Sequence, residues 1–370
     1  MAKTQSLCVV PWTTGFTSPA GGFRNCCFTA PPVSSRPDQP FGEWWTSSQL
    51  IQFKRKLAGD NLPDECYRCQ ASETANGGSY RLSANSQQDF ESLTDIWPSR
   101  WNVSFGNTCN LACWSCSERS SSVIEQHKRQ IGLLPPDYES SNDRFDRMWP
   151  DLRSAIMHSY DCHDTVHLTI LGGEPLYSDR VLTFLQDLLD LGLAYRTRLE
   201  FHTNATQHND RIKTTLAPGN WQYISMFLSI DSVGKTAEWL RYGSRWQKIL
   251  HNIPRIRALA DYTEVHTTLS IMNIMDLPDL KEFCSSQDLP WKVFLLAQPD
   301  YMAITNWDGD PQLILDHLVF DPELSAYYDL IGRNAQAGSR QRLLEYIKQF
   351  DSIRRPLQEF NPKLHAILHG

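Results

Sequence analysis

Six short runs rich in apolar and β-branched residues recur between residues 101 and 298, and stretches with helical spacing lie between them. The runs are WNVSFGN (101–107), VHLTILGG (166–173), RLEFHTNAT (198–206), YISMFLSID (223–231), EVHTTLSIMN (264–273) and WKVFLLAQ (291–298). Helical stretches fall around 145–159 and at 179–192, 208–216, 246–260 and 276–286, with PQLILDHLVF after the sixth run. This alternation predicts parallel βα units with right-handed crossovers. Connections this short favour an α/β fold of the open or partial (β/α)6 TIM-like barrel type. In such barrels the chemistry gathers at the carboxyl ends of the strands.

The expected strand ends carry a pattern. The first is followed by Cys109, Cys113 and Cys116, the second by Gly172, Gly173, Glu174 and Pro175. The third ends near Asn204, the fourth at Ser229 and Asp231, and the fifth at Asn273. Three thiols with C-x3-C-x2-C spacing on one loop suit three corners of a cubane. A structural zinc wants four closed ligands, and no fourth Cys or His follows at finger spacing. A [4Fe–4S] cluster has four irons, so three protein thiolates leave one iron open to another ligand.

The C-x3-C-x2-C loop followed by GGEP resembles the radical S-adenosylmethionine (SAM) enzymes over residues 97–300. The resemblance implies that Cys109, Cys113 and Cys116 hold a [4Fe–4S] cluster whose open iron is chelated by the amino and carboxylate groups of SAM. It implies reductive cleavage of SAM to a 5′-deoxyadenosyl radical that takes hydrogen from a substrate. Gly172, Gly173 and Glu174, with Pro175, would meet the methionine amino group. Glycines let backbone groups approach, and a carboxylate suits an ammonium. Asn204, Ser229 and Asp231 fall where the family reaches the cofactor, Arg241 resembles the arginine that pairs with its carboxylate, and Asn273 lies near the adenosine contacts. Many members carry an aromatic residue just before the third cysteine. Here that position is Ser115, and the aromatic is Trp114.

Five further cysteines precede Trp97: Cys8, Cys26, Cys27, Cys66 and Cys69. Residues 1 to 95 show little periodic structure, and a segment like that needs a staple, for which a metal site is the intracellular option. The arrangement resembles the auxiliary-cluster module called twitch, related to SPASM, placed ahead of the core. The resemblance implies a second [4Fe–4S] cluster on Cys8, Cys26, Cys66 and Cys69, with Cys27 the rival of Cys26. A zinc knuckle built on four cysteines is the bland alternative.

Bulk properties narrow the function classes. The formal charge of −7 disfavours a nucleic-acid partner, which usually requires a basic excess. Mean hydropathy is −0.42, and no apolar run reaches bilayer length, so no membrane partner is expected. MAKTQSLCVVPW does not read as a secretory signal, which points to the cytoplasm and reduced thiols. Cys162 and Cys284 stand alone and read as small packed side chains, and His163, His167 and His202 as core or rim packing. SIDSVGKT (229–236) nearly matches a phosphate-binding P-loop, but Ser229 stands where the first glycine belongs.

The expectation is therefore an oxidoreductase- or transferase-type radical SAM enzyme. It would comprise a cluster module (1–96), a core barrel (97–312) and a helical C-terminal extension (313–370). A peptide or protein side chain is the first substrate, a small polar metabolite such as a sugar or aminocyclitol the second, and a flavodoxin- or ferredoxin-type protein the electron donor. A non-enzymatic zinc or iron–sulfur protein and a P-loop nucleotidase are the readings of other classes.

Overall fold

The computed structural model describes residues 7–36, 38–59, 61–86, 97–318 and 320–369. Strands β1 (Thr14–Thr17) and β2 (Phe23–Arg24) come from the amino-terminal segment. They are followed by β3 (Arg100–Ser104), β4 (Ala112–Cys113), β5 (Val166–Leu171), β6 (Thr197–Thr203), β7 (Tyr223–Ser229), β8 (Arg241–Tyr242), β9 (Tyr262–Leu269) and β10 (Trp291–Leu295). Eight of them form one sheet in the order β10-β9-β7-β6-β5-β3-β1-β2, and β4 pairs with β8 in a small ribbon. Every pairing from β1 to β10 in the large sheet is parallel, and only β2 runs antiparallel at its edge. The six expected strands are all present, somewhat shorter than their apolar runs.

From β3 to β10 the strands neighbour one another in chain order. With crossovers of one hand, such an order puts the helices on one face and leaves the other uncovered, the arrangement of a barrel that has not closed. Burial follows suit, since β5 and β6 alternate strictly between buried and half-buried side chains. Leu168, Ile170, Leu199, Phe201, Met226 and Leu228 are each 1 % exposed or less. They pack beneath the helices Ser141–Cys162, Asp179–Asp190 and Trp246–Arg257, where each large apolar side chain contributes about 1.5–3 kcal/mol. The helix Asp179–Asp190 shows why the sequence folds this way. Val181, Leu182, Leu185 and Leu188 recur at helical spacing and form one buried stripe.

Three features depart from the sequence reading. The amino-terminal segment is more helical than its composition suggests, with helices Phe41–Trp45, Ser48–Leu57, Tyr67–Asn76 and Tyr80–Ser86. It is also not a bystander to the sheet. Thr14, Gly15 and Phe16 of β1 pair in register with Arg100, Trp101 and Asn102 of β3. A second apolar core joins the carboxyl-terminal segment to the rim, with Leu343, Ile347, Phe350, Leu364 and Ile367 packing with Trp114, Trp239 and Leu269. Cys284 is buried as expected, whereas Cys162, the last residue of its helix, is exposed.

Asp276, in the turn after β9, is buried and accepts a hydrogen bond from the Ser232 hydroxyl at 3.1 Å. Burial raises its pKa from 3.8 to about 6. A carboxyl that binds its proton more tightly folded than unfolded stabilises below pH 4, and that contribution is lost as pH rises through 6. Asp276→Asn should therefore stabilise the protein at pH 8, by up to ~3 kcal/mol. At pH 4 to 5 the gain should shrink towards zero, as read by urea unfolding at the two pH values.

Candidate functional site

The loop after β3 is held by its own side chains. Asn107 donates to the Glu118 carbonyl at 2.7 Å and to the Glu125 carboxylate at 2.8 Å. Ser121 donates to the Leu111 carbonyl at 2.6 Å, and the Ser122 hydroxyl both accepts from the Cys109 amide and donates to its carbonyl, each at 3.1 Å. These serines open the helix Ser122–Gln130, so the cysteine loop is stapled to a helix start. The ribbon of β4 and β8 then sets Cys113 opposite Arg241. The guanidinium donates to the Cys113 sulfur at 3.9 Å and pairs with Asp231 at 2.8 Å.

The Gly-Gly-Glu turn closes against this loop. Gly172 and Gly173 have φ of +87° and +57°, and a Cβ at Gly173 would fall on the Thr108 carbonyl. The following amide, of Glu174, donates to that same carbonyl at 2.9 Å. The Glu174 carboxylate is buried. It accepts from the amides of Leu176 (3.0 Å) and Asn204 (2.6 Å) and from the Thr203 hydroxyl (2.7 Å). Burial raises its pKa, and these three donors work against that shift. Pro175 starts the short turn Pro175–Tyr177 that supplies the Leu176 donor.

Loop and turn together enclose a cavity of about 340 Å3 at the carboxyl rim of the sheet. Its wall holds Cys109, Cys113, Cys116, Gly172, Gly173, Glu174, Asn204, Ser229 and Arg241, and also Ser115, His202 and Thr268. Asp231 and Asn273 stand behind the wall. Asp231 accepts from the Thr268 amide at 2.8 Å, and the Asn273 amide donates to the carbonyls of Asp231 (2.8 Å) and Thr268 (3.1 Å). Burial pushes all three thiols upward, Cys116 to about 12, so ligation by any cation displaces protons. Among the described residues no three His, Cys, Asp or Glu side chains close on a single metal ion. The three sulfurs instead line one chamber.

Trp114, between two of these cysteines, turns away from the cavity. It is 2 % exposed and packs on Trp239 with centroids 5.0 Å apart. The SIDSVGKT stretch is likewise otherwise engaged. Thr236 donates to the Phe360 carbonyl at 3.4 Å, Ser232 and Asp231 are buried in the bonds above, and Lys235 is exposed.

The amino-terminal cysteines form a second cluster of thiols. Cys8, Cys26, Cys66 and Cys69 line a narrow cavity of about 20 Å3 with Tyr80 and Arg81. Cys27 is outside that lining and packs at the rim of the adjoining apolar cluster. A hydrogen bond from the Cys27 thiol lowers the Cys26 pKa against the effect of burial, and the same bond raises that of Cys27. The Phe28 amide also donates to the Cys26 sulfur, at 3.4 Å.

Sequence reading missed the uncovered face of the sheet. In-register pairing sets Arg100, His167, Arg198 and Tyr223 in one row, with Asn102, Thr169, Glu200 and Ser225 in the next. Rows nearer the rim carry His202, Phe227 and Glu264, then Ser229, His266 and Lys292. His266 stacks on Phe227 at 4.2 Å and meets Glu264 at 2.8 Å, while His202 lies 3.7 Å from Glu200. At the amino-terminal ends of the strands a cavity of about 560 Å3 opens beside Arg100, His167, Arg198 and Glu200. The period-two alternation of RLEFHTN was the available signal, since it places Arg198, Glu200 and His202 on one face.

Gly173→Ala should cost about 1–3 kcal/mol from backbone strain alone, and more because of the clash with Thr108. Gly192→Ala provides the comparison, with φ of +64° and nothing within 4 Å of its would-be Cβ. Thermal melts should place the first variant below the second.

No protein-family model and no curated protein matches the chain. Among solved structures it is similar to anSMEcpe with bound AdoMet and the Cp18Cys peptide, at 14 % identity and TM-score 0.37, over 58 % of this chain and 55 % of that one. It is also similar to hexahistidine-tagged anSMEcpe with bound AdoMet, at 14 % identity and TM-score 0.40, over 55 % and 50 % of the two chains. A third is Streptococcus suis SuiB bound to its precursor peptide SuiA, at 13 % identity and TM-score 0.39, over 81 % and 62 %. The chain thus spans about half the length of the anSMEcpe chains and 62 % of SuiB.

Proposed function

We propose that this chain is a radical SAM enzyme. The observation that carries the reading is the meeting, in one rim cavity, of the three thiols of C-x3-C-x2-C with the Gly172-Gly173-Glu174 turn and Arg241. Cys109, Cys113 and Cys116 would hold a [4Fe–4S] cluster, and their sulfurs, one buried and two partly exposed on the wall of one cavity, suit thiolate ligation there. When bound, the cluster and SAM supply reductive cleavage of the sulfonium and, through the 5′-deoxyadenosyl radical, removal of a hydrogen atom from the substrate. The protein binds, orients and excludes water. The glycine turn, free of Cβ atoms, would leave backbone groups open to the amino-acid end of SAM, and Glu174 keeps lone pairs for its ammonium. Arg241, already carrying Asp231, offers its fork to the carboxylate. Asn204 and Ser229 line the wall for the remaining polar atoms, with Asp231 and Asn273 bracing it from behind.

In this reading the uncovered sheet face below the rim is the substrate side. Its histidines, carboxylates and arginines suit a polar substrate, and the resemblance to auxiliary-cluster enzymes favours a peptide or protein side chain over a small polar metabolite. Residues 1–96 would carry the second [4Fe–4S] cluster on Cys8, Cys26, Cys66 and Cys69. Residues 97–312 would form the catalytic core and 313–370 its extension. A flavodoxin- or ferredoxin-type donor would supply the electron.

Anaerobic reconstitution with iron and sulfide tests the proposal. About eight irons per chain are expected, about four at each thiol set, with 5′-deoxyadenosine formed on adding SAM and dithionite. Cys113→Ala should abolish that product and remove about half of the iron. Zinc in place of iron, or loaded protein that leaves SAM intact, would overturn the reading. Cys26→Ala should remove the auxiliary half of the iron while Cys27→Ala leaves it in place; the reverse outcome would exchange the two assignments.

A further inference from the structure

Arg354 lies in the turn between the helices Ser339–Gln349 and Leu357–Phe360 of the carboxyl-terminal segment. It is 6 % exposed, and its guanidinium is wedged between the rings of Trp114 (4.3 Å) and Phe350 (4.1 Å), with Tyr242 at 5.9 Å. Its Nε, Nη1 and Nη2 are all buried and make no hydrogen bond. No carboxylate among the described residues lies within ion-pair distance of it. Proteins pair or neutralise charges that they bury, because an unpartnered ion loses its hydration without recompense. The groups whose negative charge reaches Arg354 are the hydroxyls of Tyr346 and Tyr242 and the sulfurs of Cys113 and Cys116. The tyrosines are neutral near pH 7, and burial raises Tyr346 further. Burial keeps the free thiols of Cys113 and Cys116 neutral as well. They alone become anionic, as thiolates, when they hold a metal cluster, and Trp114 between them is the surface on which the guanidinium stacks.

Arg241 on the cavity side has its own carboxylate in Asp231, at 2.8 Å. Arg354 approaches the same loop from behind with none, and His127 beside it contributes no negative charge. From this asymmetry we infer that Arg354 is the positioned counter-charge of the cluster held by Cys109, Cys113 and Cys116. Through it the carboxyl-terminal segment raises the reduction potential of that cluster. The inference rests on the cluster reading above. A cubane core with three thiolates carries net negative charge, and taking up an electron adds to it. A fixed cation in a dry site favours the reduced form, since net charge, hydrogen bonding and burial are the levers on such potentials. Arg354 acts through the loop and is a positioning residue.

The test uses the full chain, reconstituted anaerobically, with Arg354→Met and Arg354→Lys. An EPR-monitored titration follows the cluster whose signal changes on adding SAM. Its midpoint should be more negative in Arg354→Met than in the wild type and should return most of the way in Arg354→Lys. Melting temperatures supply a second readout. Without cluster the buried cation is a liability, so Arg354→Met should melt higher than the wild type, whereas with cluster bound it should melt lower. An unshifted midpoint at full iron content overturns the inference. So does a variant that loses stability equally in both states, or that fails to fold, because either makes Arg354 a packing residue. Wild-type protein that assembles no cluster on Cys109, Cys113 and Cys116 would instead overturn the proposed function.

Discussion

The rim of this protein depends on the approach of two backbones that no side chain could allow. The turn after β5 rests directly on the carbonyl of Thr108, with the Glu174 amide bonded to it. That contact fixes the distance between the cysteine loop and the Gly-Gly-Glu turn. It thereby sets the size of the chamber their side chains share. The other positioning devices, from the stapling serines to the β4–β8 ribbon, hold one or the other partner of this contact in place. Backbone contacts of this kind give an active site its dimensions more rigidly than side-chain packing can, because no rotamer change relieves them.

Much of the fold was legible because one periodicity dominates each element. Residues such as Val166, Leu168 and Ile170 alternate under helices whose stripes recur at the complementary spacing. The site was legible for a different reason. Three cysteines at short spacing and a glycine pair at the next strand end are rare enough to be read directly. What escaped was information that exists only after strands pair. His202 looks like a packing residue in isolation and reaches the rim cavity only because β6 lies between β5 and β7. Cys26 and Cys27 are adjacent in sequence and equivalent in chemistry, and only the backbone path turns the first towards Cys8, Cys66 and Cys69. Arg354 lies more than two hundred residues from the cysteines, and nothing near it in sequence announces its destination.

Charge is distributed in layers around the site. Below the rim the inner face mixes cations and carboxylates in neighbouring rows, so its histidines and glutamates meet one another. At the rim Arg241 and Asp231 neutralise each other within a buried pair. Behind the loop a lone guanidinium sits between aromatic rings. The thiol loop thus has a paired guanidinium on its cavity side and an unpaired one on its far side, while Glu118 and Glu125 at its base are matched by Lys128 and Arg129.

The parallel pairing of β1 with β3 has a consequence for anyone who would trim the chain to its barrel. A fragment starting at residue 97 would leave the backbone amides and carbonyls along one side of Arg100–Asn102 without their mates. The bared strand would carry Trp101 within it and present an unpaired edge, the kind of border along which separate molecules zip together. The amino-terminal arm therefore doubles as a selvedge, keeping the cloth of the sheet from knitting itself to its neighbours.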